Sequence, residues 1–102
     1  MENKTGLPDT LIQQVLDIVK EFPEITEVKL YGSRAKGNYR KYSDVDLAIF
    51  GRIDGLITGK IREELEELDT IYQFDVVHFD KINNEISRLN IENEGVSLHS
   101  IL

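Results

Sequence analysis

Asp44 and Asp46 stand one residue apart at the mouth of an apolar stretch, "DVDLAIF" (44–50). Extended backbone sends alternate side chains to opposite faces, so the two carboxylates share one face of a strand. Like charges so placed repel each other and fit a core poorly. They fit a hard divalent cation well, Mg2+ above all, with Mn2+ as a substitute. A third acid, Asp75, lies within "FDVVHF" (74–79), among Phe74, Val76 and Val77. An aspartate in an apolar strand is costly unless it is paired or ligated, and Arg34 or Lys29 could pair it. If its strand lies beside that of Asp46, the three acids close into a triad.

Gly32-Ser33 follows the short apolar run "EVKLY" (27–31), where the chain turns toward a helix. Glycine lets backbone approach a phosphate closely, and the serine hydroxyl and nearby N–H groups can donate to it. The pair is expected to act on a phosphate rather than on the fold. Arg34 and Lys36 either contact phosphates or are solvated surface charges. Tyr39 and Tyr42 are loop aromatics, with base stacking as the alternative. A phosphate cradle beside a two-metal carboxylate site suits in-line displacement at phosphorus. His78 alternates onto the face opposite Asp75, His99 lies in the tail, and their separation is no metal-binding spacing.

The elements that must position these residues can be read from periodicity. In "TLIQQVLDIVKEF" a helical stripe runs through Leu11, Ile12, Val15, Leu16, Ile18, Val19 and Phe22, with Thr10 and Gln13 as a capping box and Pro23 as the stop. Strands are expected at 27–31, 44–50 and 74–79. "SRAKGNYRKYS" reads as a tight turn with room for one or two helical turns. A second helix is expected from Thr58 to Asp69, with Ile61, Leu65 and Leu68 inward. A third is expected over 80–93, with Ile82, Ile86 and Leu89 inward and Gly95 as its C-terminal cap. The tail "VSLHSIL" offers either a short strand or a docking surface through Val96, Leu98, Ile101 and Leu102. The order is α-β-β-α-β-α, an α/β (α+β) fold with a small mixed sheet and packed helices, in a single domain over 1–102.

The chain has 102 residues, 40% hydrophobic and 30% charged, and no cysteine. That composition indicates a globular domain without disulfides or thiolate metal sites. No apolar run is long enough to span a bilayer, and "MENKTGLPDT" lacks the layout of a signal peptide, so the cytoplasm is the expected location. A net charge of −7 argues against stable nucleic-acid binding. Arg34, Lys36, Arg40 and Lys41 nevertheless cluster next to the acids, while "EELEELD" (63–69) concentrates negative charge elsewhere. This unevenness suits one small anionic ligand bound at one place.

"GSRAKGNYRKYSDVDL" resembles the signature of the DNA polymerase β-like nucleotidyltransferase superfamily: Gly-Ser, ten residues, then Asp-x-Asp. The flanking Arg-Ala-x-Gly and Ser-Asp-x-Asp-Leu resemble the minimal nucleotidyltransferases, the MNT family, over the whole chain. The resemblance implies the nucleotidyltransferase fold and transfer of a nucleoside monophosphate from ATP or another NTP. By it, Gly32 and Ser33, with Arg34 beside them, would bind the nucleotide's phosphates. Asp44 and Asp46 would hold two Mg2+ ions, and Asp75 would complete the metal site and help to deprotonate the acceptor hydroxyl. It further implies an antitoxin that adenylylates a tyrosine of a helical HEPN-type toxin, with a heterotetramer as one arrangement. A sheath that covers its partner without turnover is the alternative. An aminoglycoside-type transferase is a third reading, weakened because those enzymes carry an added helical domain.

Overall fold

In the computed structural model residues 4–102 are described. The chain runs α1 (Asp9–Lys20), β1 (Ile25–Tyr31), α2 (Ser33–Lys36), β2 (Val45–Gly51), α3 (Gly55–Glu66), β3 (Phe74–His78), a 3-10 turn (Phe79–Lys81), α4 (Glu85–Glu94), β4 (Val96–Ser97) and α5 (Leu98–Ile101). The four strands form one mixed sheet in the order β3-β2-β1-β4. β1 runs antiparallel to β2 and β4, whereas β2 and β3 are parallel, joined across α3. The small α/β architecture read from periodicity is the one observed.

Strand alternation divides the sheet into two unlike faces. Val28 and Leu30 of β1, Val45, Leu47 and Ile49 of β2, and Val76 of β3 point into the main core. α1 supplies Leu11, Ile12, Val15, Leu16 and Ile18 to that core, and α3 supplies Ile61 and Leu65. On the other face Ala48 packs with Phe79 and Ile91 in a much smaller cluster, edged by Tyr31, Phe50, Val77 and Ile82. Phe50 and Phe79 stack there at 4.4 Å. One face is thus sealed, and the other is covered only in part by α4. Among the described residues no helix is long and apolar enough to cross a membrane.

Several local expectations are revised. Thr10 and Gln13 form no capping box: α1 begins at Asp9 after Pro8, and Gln13 instead donates to Asp17 at 2.9 Å. Proline presets the dihedral of a helix start and displaces the expected cap by two residues. α3 begins at Gly55, not Thr58, because the Asp54 carboxylate accepts the Ile57 N–H at 3.0 Å. The third helix is not continuous over 80–93. A 3-10 turn comes first, and Asn84 caps α4 by accepting the Ser87 N–H. Ile86 and Leu89, expected inward, are 71% and 48% exposed. Arg88 sets that rotation: its guanidinium donates to the carbonyls of Phe79 and Ile82 and lies over the Phe79 ring. With Arg88 held down, Ile91, three residues on, turns to the sheet in place of Leu89.

The tail closes the sheet as its fourth strand, one of the two arrangements its sequence offered. Val96 and Ser97 pair with Leu30 and Lys29, and Leu98 is sealed in the main core. Of the tail's apolar residues only Leu102 stays exposed.

Candidate active site

β1 runs straight into Gly32, whose φ of 77° and ψ of −154° lie where L side chains are rarely found. A β-carbon built on Gly32 would collide with the carboxylate of Asp46. Glycine is therefore required here by backbone conformation and by the close approach of β2, whatever ligand the turn receives. This revises the expectation that Gly32 serves the ligand alone. Ser33 opens the single-turn α2, which ends where Gly37 turns left-handed at φ 85° and donates to the Ser33 carbonyl. The first-turn N–H groups of any helix lack partners within it, so this turn offers donors next to the acids. Gly32→Val is expected to cost about 1–3 kcal/mol of stability through backbone strain and, if the turn receives the nucleotide that the sequence resemblance implies, to weaken its binding as Asp46 is displaced. Urea unfolding and titration calorimetry on one preparation test both effects.

Register brings the acids together. Asp46 pairs with Asp75 across the parallel β2–β3 ladder and with Tyr31 across the antiparallel β1–β2 ladder. Paired residues project to the same face, so Asp75, Asp46 and Tyr31 form one row over three strands. Asp44 sits one residue before β2 rather than inside it, and is exposed, while Asp46 is half-buried. Burial first, then the charges of Asp75 and Asp44, push the Asp46 carboxyl above the usual carboxylate range. Burial, then Asp46 and Asp75, push the Tyr31 hydroxyl up to about 12.

Lys36 pairs with Glu94, and His78 Nε2 lies 3.7 Å from the Asp80 carboxylate; neither contact involves any of the three acids. Neither Arg34 nor Lys29 pairs with Asp75; Lys29 lies over the Phe50 ring. Among the described residues no three acidic or histidine side chains are gathered into a ready metal cage. Asp46 and Asp75 instead stand side by side, with Asp44 one residue ahead of β2, as hard oxygen donors that form no ion pair. That donor set fits a divalent cation such as Mg2+, which completes its shell with water and phosphate oxygens.

Arg34 does not reach the site. It is only 1% exposed, and its guanidinium donates to the carbonyls of Thr5 at 2.8 Å, Ser43 at 3.0 Å and Lys41 at 3.4 Å. The rings of Tyr39 and Tyr72 lie on it, each 4.8 Å away. The phosphate contact expected for Arg34 is thus replaced by a structural role: it pins the loop that delivers Asp44. Tyr39 belongs to that clamp, whereas Tyr42 is exposed. Lys36 is bound to Glu94 at 3.1 Å. His78 is buried, and its Nε2–H donates to the Gly51 carbonyl at 2.9 Å, tying the end of β3 to the end of β2. Tyr31 was not foreseen as a site residue. Its position directly before Gly32 was the available signal, but only the β1–β2 register places it against Asp46.

Comparison with known proteins places the fold and the sequence in one family. The family described as "Polymerase beta, Nucleotidyltransferase" matches residues 13–101. A curated relative from Haemophilus influenzae, Probable protein adenylyltransferase MntA, is 36% identical over 70 residues, which make up 67% of this chain and 55% of the relative. The chain therefore spans about half the length of that relative. Among solved structures, a toxin–antitoxin complex with AMP-PNP superposes with a TM-score of 0.70 at 19% identity, over 85% of this chain and 71% of the other. A complex of tri-AMPylated Shewanella oneidensis HEPN toxin with MNT antitoxin gives a TM-score of 0.65 at 17% identity, over 88% and 70%. The fold, the Gly32 turn set against Asp46 and the match across most of the sequence make this chain a member of the polymerase β-type nucleotidyltransferase family.

Proposed function

We propose that this chain is a metal-dependent nucleotidyltransferase that moves AMP from ATP to a hydroxyl group of a partner protein. The observation that carries the reading is the row of unpaired acids beside the Gly32 turn, on the partly covered face of the sheet. Gly32 and Ser33 bind the β- and γ-phosphates through backbone N–H groups and the serine hydroxyl. Asp44, Asp46 and Asp75 hold Mg2+. When bound, the metal supplies charge neutralisation at the phosphates and a lowered acidity threshold for the attacking hydroxyl. The acceptor oxygen forms a bond to the α-phosphorus, the bond from that phosphorus to the bridging oxygen breaks, and pyrophosphate leaves. Asp75, the exposed end of the row, takes the hydroxyl proton. Tyr31, neutral over the working pH range, stands beside Asp46 and adds no further negative charge to the site.

A protein acceptor is supported by the relative named as a protein adenylyltransferase and by fold neighbours solved with a HEPN toxin. The open face points the same way, since a partner can supply both the acceptor and the wall that excludes water. On this reading the chain is the antitoxin of a HEPN-type toxin. The test is a transfer assay with ATP–Mg2+ and either a HEPN-type helical partner or a panel of aminoglycosides. Mass spectrometry is expected to find about 329 Da added per AMP on a partner tyrosine, as metal-assisted transfer requires. Tight binding without product would favour a sheath, and labelled aminoglycoside would overturn the protein acceptor.

A further inference from the structure

A groove of about 400 Å³ lies between the end of β1 and α4. It is lined by Tyr31, which neighbours Asp46 across the β1–β2 ladder, and by Gly32, so it opens directly beside the proposed phosphate turn. The cavity beneath the α3–β3 connection and the one at the start of α3 touch neither the acids nor Gly32. We propose that this groove holds the nucleoside of the bound nucleotide and that Asn90 selects adenine; the inference rests on the proposed function.

Three features support it. Ser87, Asn90, Ile91 and Glu94 follow one helical stripe at i, i+3, i+4 and i+7, so a single face of α4 forms the far wall. That face points into the groove because Arg88 and Ile91 anchor the helix. Val77 and Ile82, each half-buried, supply the apolar surface on which an aromatic base packs, while Ser87 and Asn90 are the polar groups along its edge. A mostly apolar cleft with a few converging polar groups, within the usual range of about 300–1,000 Å³, is the common form of a small-ligand site.

The chemistry of Asn90 selects the base. Its side-chain amide offers one acceptor and two donors. Adenine presents an amino donor and a ring-nitrogen acceptor on one edge, which an amide matches with two hydrogen bonds. Guanine presents two acceptors on the same edge and leaves the amide oxygen without a donor. The Lys36–Glu94 ion pair closes the groove between α2 and α4.

The experiment compares ATP–Mg2+, GTP–Mg2+ and inorganic tripolyphosphate–Mg2+ by titration calorimetry on the full chain. It uses wild type, Asn90→Ala and Ser87→Trp, both altered at exposed helix positions. Wild type is expected to bind ATP more tightly than either GTP or tripolyphosphate. Asn90→Ala should weaken ATP roughly tenfold, the scale of lost hydrogen bonds to a base edge, and bring ATP and GTP together. Ser87→Trp should exclude both nucleotides, and neither variant should change tripolyphosphate affinity. Unaltered ATP affinity in both variants, or an equal loss of tripolyphosphate, would overturn the groove assignment while leaving the phosphate site standing. Failure of wild type to bind either ATP or tripolyphosphate would overturn the proposed function and the groove with it.

Discussion

Asp46→Asn is expected to lower AMP transfer by on the order of 1,000-fold or more, because metal-assisted charge stabilisation contributes several kcal/mol and each 1.36 kcal/mol is tenfold in rate. Stability should move the other way. Asp46 is pushed above its ordinary carboxyl value of 3.8, so the folded state disfavours its ionised form. At neutral pH that cost is fully present. As pH falls through the raised folded value toward 3.8, the folded state takes up the proton before the unfolded chain does, and stability is regained. In the metal-free protein Asp46→Asn should therefore be at least as stable as wild type at pH 7, and should lose this acid-side gain. Urea midpoints followed across pH in the presence of chelator measure it. ATP–Mg2+ should raise the melting temperature of wild type by mass action and leave that of the variant in place. Wild-type transfer by Asp46→Asn would remove Asp46 from the site.

Arg34→Ala is expected to lower stability by about 3–5 kcal/mol, the combined scale of a cavity left by a large buried side chain and of buried carbonyls stripped of their donor. The substitution would leave the carbonyls of Thr5, Lys41 and Ser43 without their donor and two tyrosine rings facing a void. In a domain of this size that corresponds to a fall in melting temperature on the order of 10–20 °C. Arg34→Lys should recover only part of it, since an ammonium lacks the planar fork and the stacking surface. An unchanged melting temperature with weakened ATP binding would restore the phosphate contact that the sequence suggests. Asp44 should lose its fixed position as the 41–43 loop loosens, so transfer should fall along with stability.

These two residues show where the sequence was legible. Asp46 declares itself through a local conflict: a carboxylate in an apolar strand, one residue from another carboxylate and downstream of Gly-Ser. Arg34 carries no such sign, because a cation in a polar turn looks the same whether it is solvated or buried under tyrosines. α4 repeats the lesson. Ile82, Ile86 and Leu89 have helical spacing, yet Ile82 lies before the Asn84 cap, and Arg88 turns the other two outward.

The sequence by itself determined the three longer strands, the helices of the main core, the Gly32 turn and which acids were out of place, because each depends on side-chain period or on conformational limits within a few residues. Tertiary structure alone decided that β3 pairs in parallel with β2 and sets Asp75 beside Asp46, that β1 presents Tyr31 to the same row, and that α4 rests on Ile91 and leaves a groove. Those outcomes depend on strand register and helix rotation, which contacts among residues far apart in the chain select, and to which local periodicity is blind.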